Sequence, residues 1–274
     1  MPRDAAPPMT SPADDPWAAL RRFTPARIGL GRAGDAPPLG AVLDFQLAHA
    51  RARDAVHAAL DRVPLQAALG GLPWLAVRSQ APDRGTYLRR PDLGRRLDPE
   101  CLPLLPKGEW DAVFVLADGL SATAVQQHAA AVLRATLQRL PGWRVAPVVI
   151  ATQARVALGD EIGEALGASL CAMLIGERPG LSVADSLGVY LTYAPQRGRR
   201  DSERNCISNI HRSGGLAPES AADKLAWLMT EALRLRLTGV ELKDEQPPHL
   251  EHGAPGVGSR PVLGSGGPSA DRPF

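Results

Sequence analysis

Cysteine, aromatic residues, net charge and long apolar runs are all scarce in this sequence, and each shortage removes a class of protein. Its three cysteines, Cys101, Cys171 and Cys206, form no CxxC pair, no Cys/His metal spacing and no even set for a disulfide framework. That usage fits a reducing compartment. A formal net charge of +2 over 274 residues is too small for a nucleic-acid or anionic-membrane surface. Arginine is plentiful but occurs in scattered pairs (Arg21-Arg22, Arg89-Arg90, Arg95-Arg96, Arg199-Arg200), and with aromatics at 4% nothing interleaves with it. These pairs read as solvated surface. No stretch approaches the ~20 apolar residues of a membrane span, and MPRDAAPPMTSPADDP lacks the apolar core of a secretory signal. A soluble, cytoplasmic protein is the expectation.

What is present is ordinary globular composition, with 45% hydrophobic residues, enough for a sizeable core in one large domain or two small ones. Residues 1–23 read as a disordered leader with a short helix at Trp17 to Phe23. Residues 24–106 read as a mainly helical N-terminal region. It opens with RIGLGRAG, whose Gly29, Gly31 and Gly34 have the GxGxxG spacing. A dinucleotide fingerprint must follow a strand and open a helix, and no strand precedes this one, so a subunit-contact or ligand-edge loop is the preferred reading. Leu39 to Leu60 has helical periodicity, and Val63-Pro64 is expected to close it. His49 and His57 lie two turns apart on that helix, too far to share a metal. Leu75 to Val77 is a short strand candidate inside a Pro-rich connector running to Pro106.

Residues 107–243 alternate strand and helix: Asp111 to Leu116, helix Ala122 to Leu140, strand Val145 to Ala151, helix Gly159 to Leu166, strand Leu170 to Ile175. Strands joined by helical crossovers imply a parallel sheet flanked by helices. The loops at Asp118-Gly119, Gln153 to Val156 and Gly176-Glu177-Arg178 then line one edge, where ligands of open α/β sheets sit. Further strands are expected at Gly188 to Tyr193 and at Asn205 to Asn209. A final helix at Pro218 to Leu237 has Gly239 as its cap. Residues 244–274, rich in Pro, Gly and Ser, read as a disordered tail.

No catalytic set assembles from these residues, and no metal site. Asp118 to Ser121 lacks the GxSxG elbow, and Asp118 reads as a cap for the following helix. Asp160, Glu161 and Glu164 suit the positive end of a helix dipole. Cys206 with His211 permits a Cys-His dyad, against a strand cysteine facing a core or ligand. Glu177, between Gly176 and Arg178-Pro179-Gly180, is placed to accept hydrogen bonds from a large polar ligand; an ion pair with Arg178 or a loop cap is the alternative.

With RIGLGRAG, LDFQLAHARARDAV, LADGLSATAV and the following His128, GDEIGEALGA, LIGERPGLSVADSLGVYLTY and RNCISNI in that order, the sequence resembles the small (light) subunits of ethanolamine ammonia-lyases from about Ala26 to Lys243. The resemblance implies a Rossmann-like cobalamin-binding domain over 107–243 and a role in the adenosylcobalamin-dependent conversion of ethanolamine to acetaldehyde and ammonia. It implies a TIM-barrel large subunit that holds the substrate, cobalamin covered at the interface, and a hexamer of heterodimers. It carries cobalamin contacts onto Val156, Glu177 and Cys206, which makes Cys206 a packing or backbone contact rather than a nucleophile. The chain has no DxHxxG pattern, in keeping with base-on cobalamin. Members packaged in bacterial microcompartments often carry a longer amphipathic leader, which the short Pro/Asp-rich leader does not match. A free-standing cobalamin-binding module and a Rossmann-type nucleotide enzyme are the competing expectations.

Overall fold

A computed structural model describes residues 15–245. Residues 1–14 and 246–274, which hold most of the expected leader and tail, lie outside the described residues. Helix α1 (Ala18–Arg21) is a single turn within the segment expected to be helical. The glycine-rich loop follows it, with Gly29, Gly31 and Gly34 at φ 53°, 77° and 64°. Arg21 Nη1 gathers that loop by donating to the carbonyls of Ile28 and Gly29 at 2.8 and 2.7 Å. A helix and not a strand precedes the loop, which removes the nucleotide-enzyme reading.

Helix α2 (Leu39–His57) ends earlier than its periodicity predicts, at an extended Ala58. Asp61 then caps a separate α3 (Arg62–Ala68), accepting from Val63 N at 3.0 Å. Pro64 therefore sits in the first turn of α3, where a missing N–H costs nothing, and does not close α2. The Pro-rich connector also has more structure than expected. It holds strand β1 (Trp74–Arg78) and helix α4 (Arg84–Arg89), started by the Asp83 cap on Thr86 N at 2.8 Å.

Then come β2 (Trp110–Ala117), α5 (Ala122–Ala124), a π-helical turn at Val125–Ala129 and α6 (Ala130–Gln138). The expected single helix from Ala122 is thus interrupted by a π turn carrying His128. Strand β3 (Val148–Thr152), α7 (Leu158–Leu166), β4 (Ala168–Gly176), β5 (Leu187–Tyr193), β6 (Arg204–Ile210) and α8 (Pro218–Leu235) complete the order. Arg236 in left-handed conformation (φ 58°) caps α8, in place of the expected Gly239. A Cβ on Gly239 would lie 2.1 Å from the Ser202 carbonyl, so glycine serves close packing there.

The six strands form one sheet in the order β1-β3-β2-β4-β5-β6. The four strands reached through crossovers are mutually parallel, as expected. Strands β5 and β6 follow without a crossover helix and are antiparallel, so the sheet is mixed rather than wholly parallel. Strand β1, within residues 24–106, pairs with β3 over its full length. One apolar layer joins Phe114, Leu116, Ile150 and Leu174 to α3, α6 and α8. The opposite layer joins Val113, Val115, Val149 and Met173 to α7 and the 97–105 segment.

A buried ion pair crosses the second layer. Arg204 Nη1 and Nη2 donate to the two Asp160 carboxylate oxygens at 2.6 and 2.7 Å, with side chains 1% and 2% exposed. Nη1 also reaches Thr192 Oγ1 at 2.8 Å and Nη2 the Arg199 carbonyl at 3.1 Å. Asp160 sits in the first turn of α7, as the sequence pattern predicts, and in addition it ties α7 to the edge strand. Glu161, beside it, accepts from Arg96 Nε and Leu97 N, each at 2.8 Å. Removing one member of such a pair strands a buried charge. Asp160→Asn should therefore lose about 3–5 kcal/mol in urea unfolding, and Asp160→Leu with Arg204→Met should recover most of it. A loss below about 1 kcal/mol, the scale of a surface pair, would mean that water reaches the guanidinium.

Candidate functional site

The usual ligand crevice of an α/β sheet lies where successive crossovers leave for opposite faces. Here β2 leads to α6 in one layer and β3 to α7 in the other, which puts the split between Asp118 and Gln153. Protein fills it. Asp118 accepts from Gln153 N at 2.8 Å and Ala154 N at 3.0 Å. Burial pushes its carboxyl pKa up, and those two N–H groups and the Arg84 cation act against the shift. Arg84 lies 3.8 Å from Asp118 and donates to the Gly119 carbonyl at 2.8 Å and the Val56 carbonyl at 2.6 Å. The Tyr87 ring lies between the Arg84 and Arg155 guanidinium groups, 4.7 and 4.4 Å from its centre, and burial pushes the phenol up to about 12. Asp118 thus does not cap the following helix. Ser121 does, accepting from Ala124 N at 3.3 Å while donating to the Ala184 carbonyl at 2.8 Å.

An open arrangement lies at the next strand end. Gly119 (φ 55°) and Gly176 bring the β2 and β4 loops into backbone contact: a Cβ on Gly119 would sit 2.3 Å from the Gly176 carbonyl. Leu120 N accordingly donates to that carbonyl at 2.9 Å. The chain then turns at Glu177, whose N–H donates to the Ser186 carbonyl at 2.9 Å. The Glu177 carboxylate accepts from the Ser208 hydroxyl at Oε1 and from the Ser186 hydroxyl at Oε2. Asn209 N completes the set, donating to Oε2 at 3.3 Å. Every donor is neutral, and among the described residues no ion pair involves Glu177, so the Arg178 alternative is not what the side chain does. Gly188 leaves the space: a Cβ there would meet Glu177 Oε1 at 2.8 Å.

Ser208 and Asn209 stand opposite Gly188 because the β5–β6 register slips between Leu187 and Val189. Such a bulge re-aims side chains and marks functional edges. Asn209 has φ 65°, a left-handed conformation that asparagine tolerates better than most residues.

Cys206 lies on the same β6 face, directly opposite Tyr190. It is exposed, whereas Cys101 and Cys171 are buried. Its surroundings raise the thiol pKa, chiefly by desolvation, and a hydrogen bond from Tyr190 offsets this only in part. The Tyr190 hydroxyl is itself pushed up, mainly by burial, with Cys206 and Glu177 adding to the shift. A neutral thiol is a poor nucleophile. His211 does not activate it, since His211 Nε2 bonds Asn209 Oδ1 at 2.7 Å and Nδ1 accepts from Ser213 N at 3.2 Å. Val156 is half-buried in the turn that opens α7, its carbonyl accepting from Gly159 N at 3.1 Å. Val156 and Tyr190 both pack on the apolar layer beneath α7.

The structure therefore groups Glu177 with Cys206 around Tyr190, and brings Val156 to the same layer at one remove. Sequence reasoning missed the roles of Ser186, Tyr190, Ser208 and Asn209, and paired His211 with Cys206 where the structure pairs it with Asn209. A glycine inside the predicted strand, Gly188, was the available signal of a close approach. The arrangement can accept hydrogen bonds on a carboxylate and offer an apolar surface and a soft, neutral sulfur; it holds no nucleophile–base pair. Among the described residues no group of three His, Cys, Asp or Glu is placed to hold a metal ion, and no helix is long and apolar enough to cross a membrane.

The raised thiol pKa predicts slow alkylation. At pH 8 iodoacetamide should label Cys206 selectively over Cys101 and Cys171, more slowly than free cysteine, with the rate climbing further as pH rises. Equal or faster reaction than free cysteine, read by peptide mass spectrometry, would place a thiolate there.

Comparison with known proteins follows the same segments. Residues 14–243 match the family model described as ethanolamine ammonia-lyase light chain (EutC). The ethanolamine ammonia-lyase small subunit of Azotobacter vinelandii is 56% identical over 246 residues, covering 86% of this chain and 91% of that protein. Those of Xanthomonas campestris pv. campestris (strain B100) and Pseudomonas putida (strain GB-1) are 54% and 52% identical, covering 86% and 88% of this chain and 90% and 92% of theirs. With a family match spanning every strand of the sheet and identities above half, this chain belongs to the ethanolamine ammonia-lyase light-chain family.

Proposed function

We propose that this chain is the small subunit of an adenosylcobalamin-dependent ethanolamine ammonia-lyase, and that its Glu177–Cys206 face covers the cobalamin against a large subunit that carries the substrate. The observation that carries the reading is the Glu177 carboxylate, pinned by three neutral donors over a glycine and without an ion-pair partner among the described residues. An acceptor so held suits the amide N–H groups around a corrin ring. Tyr190, Val156 and the neutral Cys206 thiol beside it suit the ring's apolar surface. His128 and His211 are buried in the fold, so neither is offered as a ligand to cobalt.

When bound, adenosylcobalamin supplies the organic radical by cobalt–carbon homolysis. This chain's share is binding, orientation and exclusion of water. Glu177 orients by accepting hydrogen bonds, and its three donors keep the carboxylate from rotating. Cys206 and Val156 shield by packing. No residue of this face is assigned a proton transfer. That fits a subunit which is inactive alone and leaves the substrate chemistry to the partner.

A partner is also supported by surface left uncovered. Helix α2 buries only Ala55 across 19 residues. Leu39, Leu43, Phe45 and Leu47 on it are 72%, 54%, 45% and 50% exposed, and Phe23 in the preceding arm is 87% exposed. Apolar surface on this scale is typical of stable subunit interfaces and disfavours a free-standing cobalamin module. A hexamer of heterodimers and the location of the substrate on the large subunit remain part of this proposal.

The test is ethanolamine turnover by this chain mixed with an ethanolamine ammonia-lyase large subunit from the same organism, with and without adenosylcobalamin, alongside each chain alone. Activity should require all three components. Glu177→Gln in the same complex should raise the cobalamin concentration needed for half-maximal activity about tenfold, the scale of one hydrogen bond to a charged group. An assembled complex that turns over ethanolamine without cobalamin, or that never does so with it, would overturn the assignment.

A further inference from the structure

The Glu177 carboxylate is aimed from two strands, and the support on the β6 side ends in a buried histidine that the proposed chemistry does not use. His211 Nδ1 accepts from Ser213 N at 3.2 Å. That acceptor role puts the ring proton on Nε2, which then donates to Asn209 Oδ1 at 2.7 Å. The Asn209 carbonyl accepts from Leu216 N at 2.8 Å. Asn209 is thus gripped at both side chain and carbonyl while its backbone stays at φ 65°. Its backbone N–H donates to Glu177 Oε2 at 3.3 Å, and its neighbour Ser208 supplies the hydroxyl to Oε1.

Packing encloses the histidine. His211 is 4% exposed. A Cβ on Gly215 would stand 2.4 Å from the Asn209 carbonyl and 2.6 Å from His211 Cδ2 and Nε2. The 213–216 turn therefore closes over both residues. A backbone held in a sparsely populated region persists only when its surroundings over-determine it, and here those surroundings are His211, Ser213 and Leu216.

We propose that His211 is a positioning residue for the cobalamin face: it holds the left-handed Asn209 bulge and through it fixes the Glu177 carboxylate. The inference rests on the reading of Glu177 as a cobalamin contact. It assigns His211 neither a cobalt-ligating nor a proton-transfer role. Outer-shell groups that orient a binding group typically change affinity ten- to a hundredfold when removed.

The test uses the assembled two-subunit complex and hydroxocobalamin, with binding read by absorbance after equilibrium dialysis. His211→Asn keeps a group near Nδ1 and removes the donor to Asn209, whereas His211→Gln keeps a donor near Nε2. The first should weaken binding about tenfold, and the second should come back to within about threefold of wild type. In Glu177→Gln/His211→Asn the affinity should fall no further than in Glu177→Gln alone, since one effect runs through the other. The KM for ethanolamine at saturating adenosylcobalamin should not move.

Wild-type affinity in His211→Asn beside a weakened Glu177→Gln would overturn the inference while leaving the cobalamin reading in place. Equal losses in the Asn and Gln variants, or losses that add in the double variant, would do the same. An unchanged affinity in Glu177→Gln would overturn the cobalamin reading of that residue, and this inference with it. If His211→Asn does not assemble, Asn209→Gly decides the matter. It keeps the positive φ without strain and removes the oxygen that His211 holds, so it should show the same tenfold loss, and wild-type binding would refute the role.

Discussion

The buried Asp160–Arg204 pair fixes how the parallel and antiparallel halves of this sheet meet. Arg204 starts the edge strand β6, crosses β5 at Thr192 and reaches α7, which lies over the central strands. Burial works against the charge on Arg204, but the hydrogen bonds and charge of Asp160 outweigh it and hold the pKa up. Such a pair adds little net stability over an apolar replacement, because desolvation cancels most of its Coulomb gain. What it supplies is a defined geometry. Val156 lies four residues before Asp160, and Cys206 lies two residues beyond Arg204 on the same side of the strand. The separation between those two positions is therefore set by one fork-shaped contact rather than by loose packing.

The same economy governs where a ligand can sit. The crevice between the β2 and β3 loops, the ordinary binding place for this architecture, is closed by Asp118 bridging two backbone N–H groups and by Arg84 reaching the carbonyls of Val56 and Gly119. Asp118 and most of the Arg84 fork are spent on the loops, although Arg84 Nη2 and Arg155 Nε stay buried there without a hydrogen-bond partner. The accessible acceptor moves instead to the far side of β4, where the chain makes no crossover and the β5–β6 bulge turns Ser208 and Asn209 toward Glu177.

Much of this was legible in the sequence where periodicity and loop chemistry agree. The alternation from Asp111 to Ile175 gives an α/β sheet with its loops on one edge, and Gly176-Glu177 after a buried strand marks the open end. The parts that were not legible depend on distant partners. Asp160 looks like any acid in a first helical turn until Arg204, 44 residues later, folds across it. Pro64 and the Arg-rich stretch at 84–89 read as breaker and loop because the caps that start their helices, Asp61 and Asp83, are single residues with no periodicity behind them. The π turn at His128 has no local signal. It leaves a buried imidazole whose Nε2 lies 3.6 Å from Asp185, and burial lowers its pKa against the pull of the carboxylate.

Two surfaces of this chain are left incomplete in different ways, and the difference bears on how a small subunit of this kind works. The α2 face is apolar, and its hydrophobic side chains gain only by being covered, which is a demand for a protein partner of matching shape. The Glu177 face sets a carboxylate beside the apolar surface of Tyr190 and Val156, and among the described residues no ion pair involves Glu177. Its hydroxyl and N–H donors spend their hydrogen bonds on aiming a carboxylate, and Gly188 keeps the floor beneath it low. A carboxylate aimed by neutral donors favours a ligand that brings its own N–H groups. In the proposed complex the first surface supplies affinity between the subunits and the second supplies orientation of the cofactor. A pre-set acceptor costs little to bring into place when the interface closes. That separation explains why the face can be built without a catalytic group of its own.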